Sequence, residues 1–407
     1  MPTASDASAS SQQPAPETGL RAGSPLVAVL AVATGISVAN LYYTQPLLDT
    51  LGRAFGLAGG GAGLIVTVTQ IGYAAGLVLI VPLGDLLDRR RLVASVSLLT
   101  ALSLAGAALA PGFALFEAAS AAIGVTAVVA QVLVPFAAHL ASDAERGRVV
   151  GRVMSGLLFG VLLARVASGF VSDALGWRAV FWIAAGLMLT QSVVLWRLLP
   201  RVRPTAQLAY PELLRSVWRL VREEPLLRRR AFFGMAVFGA FSVLWTGLPF
   251  LLARPPYGYG DSVIGLFGLF GVAGALTASV AGHLHDRGLT RVATGAFLTV
   301  GVGAFVLMGL LPHALPAIIA GVVLLDLGTQ GTQVLNQSTI YQLRPEARSR
   351  LTTAYMTAFF VGGAVGSAVA AFAFSRFGWP GVAVGGVAFG GAGLAVWLAG
   401  ALRSGRG

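Results

Sequence analysis

The sequence predicts an all-α membrane protein of twelve transmembrane helices, arranged as two pseudo-symmetric six-helix bundles. Three observations carry that prediction. Hydrophobic residues make up 56% of the 407 and charged residues only 11%, with a mean hydropathy of +0.80, whereas a soluble domain carries about 25% charge. The apolar residues fall in long runs, and about 20 in a row cross a bilayer. The runs also repeat: Asp85 and Asp286, each closing an apolar run and opening a short basic link, stand 201 positions apart.

In chain order, residues 1–24 are rich in Ala, Ser, Pro and Gln and read as a disordered tail. The tail lacks the basic start of a signal peptide, and the run after it is long enough to span. Spans are expected at 26–48, 62–84, 92–112, 114–138, 149–172 and 178–199, forming an N-terminal half over 25–199. A second set at 231–253, 262–284, 290–312, 315–338, 350–374 and 379–402 forms a C-terminal half over 231–407. Small residues at four-residue spacing, Gly160/Ala164/Ser168 and Gly362/Gly366/Ala370, suit close helix packing in lipid. The linker, 200–230, holds an amphipathic segment in which Leu214, Trp218 and Val221 share one stripe and Arg215, Arg219 and Arg222 another. That pattern suits an anionic inner leaflet.

The net charge is +12, and all 28 basic residues are Arg. An ATP-driven pump needs a P-loop lysine, and without a Lys no Walker A site is possible in this chain. Without a Cys there is no thiol or disulfide chemistry. The arginines cluster in links rather than along one soluble face, which argues against a nucleic-acid partner. The two tails and the even-numbered links hold 23 of them, while Arg53, Arg178, Arg254 and Arg376 fall in the odd-numbered links and Arg165 inside a span. The positive-inside rule then places both termini in the cytoplasm, in a bacterial inner membrane by composition. The four histidines show no metal-ligand spacing, so neither a metal nor a cofactor is expected.

Arg148/Arg350, Gly176/Gly378 and Gln131/Gln333 recur at an offset of 202, and Tyr42/Trp245 at 203. A near-constant offset implies parallel halves related by an axis along the membrane normal, with a site between them. With these features the chain resembles the major facilitator superfamily of secondary transporters. Pro82-Leu83-Gly84-Asp85 followed by Arg89-Arg90, and the second copy Gly282, Asp286, Arg287 and Gly288, are similar to its loop signature. Gly176-Trp177-Arg178 and the run Ala39 to Leu48 also look like this family, the latter like its drug:proton antiporter-like members. Arg165 stands where the fifth-helix signature of those members has proline. The resemblance implies a monomeric transporter exchanging protons for a small molecule.

The loop signature reads as a gate. Asp85 can accept hydrogen bonds from the N-terminus of the eleventh helix near Arg350-Leu351-Thr352, a bond that would break as the halves rock. Asp326 is the one carboxylate well inside a span, where an ionised group costs at least about 2.5–3.5 kcal/mol. Gln330, Gln333 and Gln337 follow it on one helical face. Arg165 is the opposite charge, free to pair with Asp326, to hold an anion or to answer proton binding. Tyr42, Tyr43, Gln45, Gln70, Tyr73, Gln131, Trp245 and Tyr355 are amphipathic aromatics and amides that suit a partly apolar ligand. The reading is proton-coupled efflux of a lipophilic or amphipathic compound. A symporter or uniporter for a metabolite or organic anion is the alternative within the fold, and a non-transporting receptor or membrane enzyme the alternative outside it.

Overall fold

The computed structural model describes residues 20–142, 144–202, 209–344 and 347–404. Among them the chain is helical throughout, apart from turns and one isolated backbone bridge. The N-terminal half comprises α1 (Pro25–Ala39), α2 (Leu48–Ala54), α3 (Gly63–Leu79), α4 (Leu83–Leu86), α5 (Arg89–Leu109), α6 (Phe113–Thr126), α7 (Val129–Leu140), α8 (Arg146–Leu175) and α9 (Trp177–Leu198). After the linker helix α10 (Tyr210–Glu223) come α11 (Pro225–Leu252), α12 (Asp261–Leu266), α13 (Val272–Asp286), α14 (Thr290–Leu310), α15 (Leu315–Ile340) and α16 (Arg348–Ser404). Among the described residues ten helical stretches are long and apolar enough to cross a bilayer, and Pro25–Ala39 is a shorter apolar one. The longest stretch is two spans joined across Gly378, whose φ of 62° and ψ of −152° break the helix. Twelve crossings result.

Local chemistry sets the ends. Ser24 caps α1 through Val27 N, with Pro25 in the first turn, and Asp88 caps α5 through Arg90 N. Gly176, at φ 82°, ends α8 in a conformation that glycine alone takes without strain. Four spans expected to be continuous are broken. The first stops at Ala39 and passes through turns closed by Tyr42 N to Ala39 O and Gln45 N to Tyr42 O before α2, and Pro46, with no N–H, cannot carry the helix on past Tyr42. The second turns at Pro82, the fourth at Ala127–Val128, and the eighth passes through a 3-10 turn at Phe267–Gly271. The seventh starts at Pro225, six residues before the expected 231.

Each half is knitted by a close crossing of its first and fifth helices. A Cβ on Gly160 would strike the backbone carbonyl of Gly35, and one on Gly156 that of Ala31. The matching crossing of α11 and α16 puts Gly366 against Gly239 and Gly362 against Met235. Backbones touch where side chains are absent, and dispersion then acts over the whole crossing.

The chain just before α1 is tied to the start of α8. Leu20 N donates to Leu140 O at 2.8 Å, Ala22 N to Glu145 Oε2 at 3.1 Å, and Arg152 Nη1 to the Ala22 carbonyl. The Ala22 N–H and then Arg148 hold the Glu145 carboxyl below its ordinary value of 4.5. A depressed carboxylate contributes its stability above the ordinary value and loses it as the pH falls through the lowered one. Glu145→Ala, which removes the acceptor of the Ala22 N–H but leaves the Leu140 and Arg152 bonds, should therefore loosen residues 20–24 at neutral pH, read as faster tryptic cleavage after Arg21. The wild type should show the same release, by hydrogen exchange, only on acidification below 4.5.

The linker helix lies differently from the expected stripe. Leu213 and Leu220 are buried, in a helix that packs on α16 and α11, while Trp218 is 60% exposed with Arg222 stacked on its ring. Arg344 pairs with Glu223 at 3.2 Å and Glu224 at 2.7 Å, and those two carboxylates raise the pKa of its guanidinium. Tyr210 donates to the Leu79 carbonyl at 2.8 Å. The linker thus touches both halves at the arginine-rich end.

Candidate functional site

The middle of the molecule is where the broken helices meet. Arg165 projects from α8 and is 2% exposed; Asp326 projects from α15 and is 5% exposed. They approach from opposite halves but form no ion pair. Arg165 Nε donates instead to Gln45 Oε1 at 2.7 Å, in the turn that the first span makes before Pro46. Its guanidinium lies 3.9 Å from the centroid of Trp245, 4.7 Å from Tyr42 and 5.8 Å from Phe241. Such stacking is worth about 2 kcal/mol or more once desolvated. The faces of the cation are therefore held by rings, while its edge atom Nη2 is buried with no partner.

Asp326 is the mirror case. Its Oδ1 is buried and has no partner, and Trp245 Nε1 comes near the carboxyl without closing a hydrogen bond. The 3-10 turn in the eighth span is what admits these side chains. A Cβ on Gly271 would lie 2.8 Å from Asp326 Oδ2, and one on Gly268 3.0 Å from Arg165 Cβ. Donor and acceptor of opposite formal charge thus face the same aromatic surround, each with a hydrogen-bonding atom to spare. An unmet buried polar group costs about 1–3 kcal/mol, and more when charged.

The other expected contact residues divide by how they are engaged. Tyr42, Gln45 and Trp245 belong to this cluster. Gln70 joins the halves through Ser242, at 3.2 Å. Gln131 donates to Tyr73 Oη at 3.1 Å, and the Tyr73 ring packs on Phe360 at 4.2 Å. Tyr355 is fully buried inside the C-terminal half, accepting from Asn336 at 3.3 Å. Tyr43 is buried, at 9% exposure. Gln330, Gln333 and Gln337 are half-buried; Gln330 faces α13 near Gly274, and Gln337 reaches the Met356 sulfur at 3.8 Å. The fully buried polar stripe of α15 is instead Thr329, Thr332 and Asn336. A three-to-four-residue spacing of small polar groups was there to be read.

The loop signature makes no bond to the eleventh helix. Asp85 pairs with Arg89 at 3.0 Å, and Arg89 Nε also donates to the Gly84 carbonyl at 2.8 Å. Arg90 stacks on Trp196. Asp286 and Arg287 are exposed and make no ion pair among the described residues, and Gly288 turns the chain at φ 74°. The expected Asp85 contact is absent because the halves diverge at this end. α8 packs along α12 and the 3-10 turn, and its packing does not extend along α13.

The opposite end is latched, by residues the sequence had not singled out. Asp261, 4% exposed at the first turn of α12, accepts from Thr50 at 2.9 Å and Ser172 at 2.7 Å. Asp173 answers from α8, accepting from the backbone N–H groups of Asp261 at 3.2 Å and Ser262 at 2.8 Å. Further in, Thr67 and Ser367 share a hydrogen bond of 2.9 Å. The halves are joined from the Asp261 end to the middle and part toward the arginine-rich end.

A family model described as Major Facilitator Superfamily matches residues 30–332 and 256–406. The chain is 46% identical over 375 residues to the uncharacterized transporter YgaY of Escherichia coli O157:H7, covering 92% of this chain and 95% of that one. It is 36% identical over 383 residues to SCO4007 of Streptomyces coelicolor, a transporter by name, covering 93% and 87%. Among solved structures it matches the nucleoside transporter NupG at a TM-score of 0.73 and 12% identity, over 92% of this chain and 98% of that one. At that identity the likeness speaks to the fold. With an all-helical architecture of two joined bundles and relatives that are transporters rather than enzymes, the chain belongs to the Major Facilitator Superfamily.

Proposed function

We propose that this transporter exchanges protons for a small amphipathic molecule by alternating access, as the drug:proton antiporter-like members do, and moves that molecule out of the cell. The observation that carries the reading is the pair of unmet charged groups, Asp326 Oδ1 and Arg165 Nη2, buried at the boundary of the two halves. A carboxylate there is costly while ionised and unpaired, so a proton or a ligand group relieves it. Arg165 is engaged by Gln45 and by two aromatic faces and makes no ion pair with Asp326. With the arginine-rich end in the cytoplasm, the latched Asp261 end is external and the state described is inward-facing. Rocking would exchange one closed end for the other around Asp326.

The test uses everted vesicles with an acid interior and a pH-gradient dye, comparing wild type with Asp326→Asn. A panel of amphipathic compounds should collapse the gradient in wild type, and the initial rate should fall by at least about tenfold in the variant, as for loss of an essential proton-transfer group. Equal collapse in both would move the proton to another group. Labelled uptake into liposomes with no gradient change would support uniport instead.

A further inference from the structure

Which amphipathic molecule fits follows from how the two charges are presented, on the reading that this central cluster is the transport site. We infer that the site is built for a small zwitterion, a carboxylate and an ammonium group on one apolar or aromatic body. The carboxylate would be taken by Arg165 and the ammonium by Asp326.

Charge balance selects this class. The two groups carry opposite formal charges that act on each other across the site, but no ion pair closes between them and each keeps an unmet hydrogen-bonding atom. A lone cation on Asp326 would leave the Arg165 edge uncompensated, and a lone anion on Arg165 would leave Asp326 so. In a buried site an uncompensated charge is strongly unfavourable. A zwitterion answers both. The free atoms also match in kind: Arg165 Nη2 is a donor without a partner and Asp326 Oδ1 an acceptor without one, while Trp245 Nε1 lies beside the Asp326 carboxyl. They suit a carboxylate on one side and an ammonium on the other. Tyr42, Phe241 and Trp245 surround the guanidinium and would offer ring faces to the ligand body. Thr246 Oγ1, fully buried one residue beyond Trp245, is a further polar atom without a partner.

The arrangement also couples. An ammonium group and a proton both need Asp326 Oδ1, so binding one expels the other. The stoichiometry is then one proton released per zwitterion bound, which is the exchange that antiport requires. Gln45 and the stacked rings keep Arg165 in place throughout, so the carboxylate subsite is present in both protonation states.

The experiment is calorimetric titration of the purified full-length protein in lipid nanodiscs with matched trios. One trio is phenylalanine, 3-phenylpropionate and 2-phenylethylamine; the others are built likewise on leucine and on glycine. In at least one trio the zwitterion should bind at least tenfold more tightly than either singly charged partner. Repeating the titration in buffers of different ionisation enthalpy should show proton release on zwitterion binding that grows as the pH is lowered and approaches one per zwitterion once Asp326 starts protonated. Arg165→Gln should bring phenylalanine and phenylethylamine to equal affinity. Asp326→Asn should equalise phenylalanine and phenylpropionate and abolish the proton release. Size-exclusion profiles of both variants check folding, and the wild-type ranking stands without them. A singly charged member that binds as tightly as its zwitterion in every trio overturns the proposal, as does a complete absence of binding. If a lipophilic cation or an organic anion still collapses the vesicle gradient in an Asp326-dependent manner, proton exchange stands and only the zwitterion class falls.

Discussion

Asp261→Ala is expected to raise the labelling rate of a cysteine placed at Ser367 by about 100-fold or more, with a membrane-impermeant maleimide applied from the Asp261 end. The chain has no cysteine, so the introduced thiol is the sole reporter, and Ser367 is fully buried between the halves. Asp261 ties three helices across the boundary by accepting from Thr50 on α2 and Ser172 on α8. Hydrogen bonds to a charged group contribute about 1.5–3 kcal/mol each. Losing two of them, with Asp173 still holding the backbone of Asp261 and Ser262, should shift the balance toward opening by about 3 kcal/mol, the lower end of their sum. Asp49→Ala is the control. It removes a carboxylate at the same end, but one whose partner Arg53 is 72% exposed at i,i+4 spacing; such a pair contributes about 0–1 kcal/mol, and labelling should change less than about threefold. Equal effects of the two substitutions would mean that net charge, not the latch, governs this end.

The latch shows where reading by hydropathy stops. The twelve apolar runs and the repeat near 202 residues needed only composition and spacing, because a bilayer leaves the backbone no alternative to helices. Asp261 stood one residue outside the expected eighth span, and its partners lie 89 and 211 positions away. Nothing local marks such a convergence. The 3-10 turn at Phe267–Gly271 was equally silent, since an apolar run reads alike whatever its backbone period. Asp326 and Arg165 were visible because charge inside a span is costly. What was not visible is that Gln45 and Trp245 would claim Arg165 first, a matter of which helix backbones break. For Asp85 the sequence spoke of a bond made in one arrangement of the halves, and the structure holds another.

Gly366→Val is expected to remove most of the monodisperse protein from size-exclusion profiles, and Gly391→Val, in the span beyond Gly378, to leave it unchanged. A Cβ at Gly366 would meet the carbonyl, carbon and Cα of Gly239, whereas one at Gly391 meets nothing within 4 Å. Overpacking typically costs about 1–3 kcal/mol when side chains can move aside. Here the obstacle is backbone, so α11 and α16 must separate, and the cost lies at or above the top of that range. Gly366→Ala should fall between, since its single methyl already meets the Gly239 carbonyl. The equivalent crossing predicts the same order in the other half: Gly160→Val should fail against the Gly35 backbone, while Gly151→Val, with open space around it, should not. Matching losses from Gly160 and Gly366 would show that each bundle depends on its own glycine crossing. Wild-type profiles from Gly366→Val would mean that the two backbones can separate at little cost, and that the packing of α11 on α16 is set elsewhere along their length.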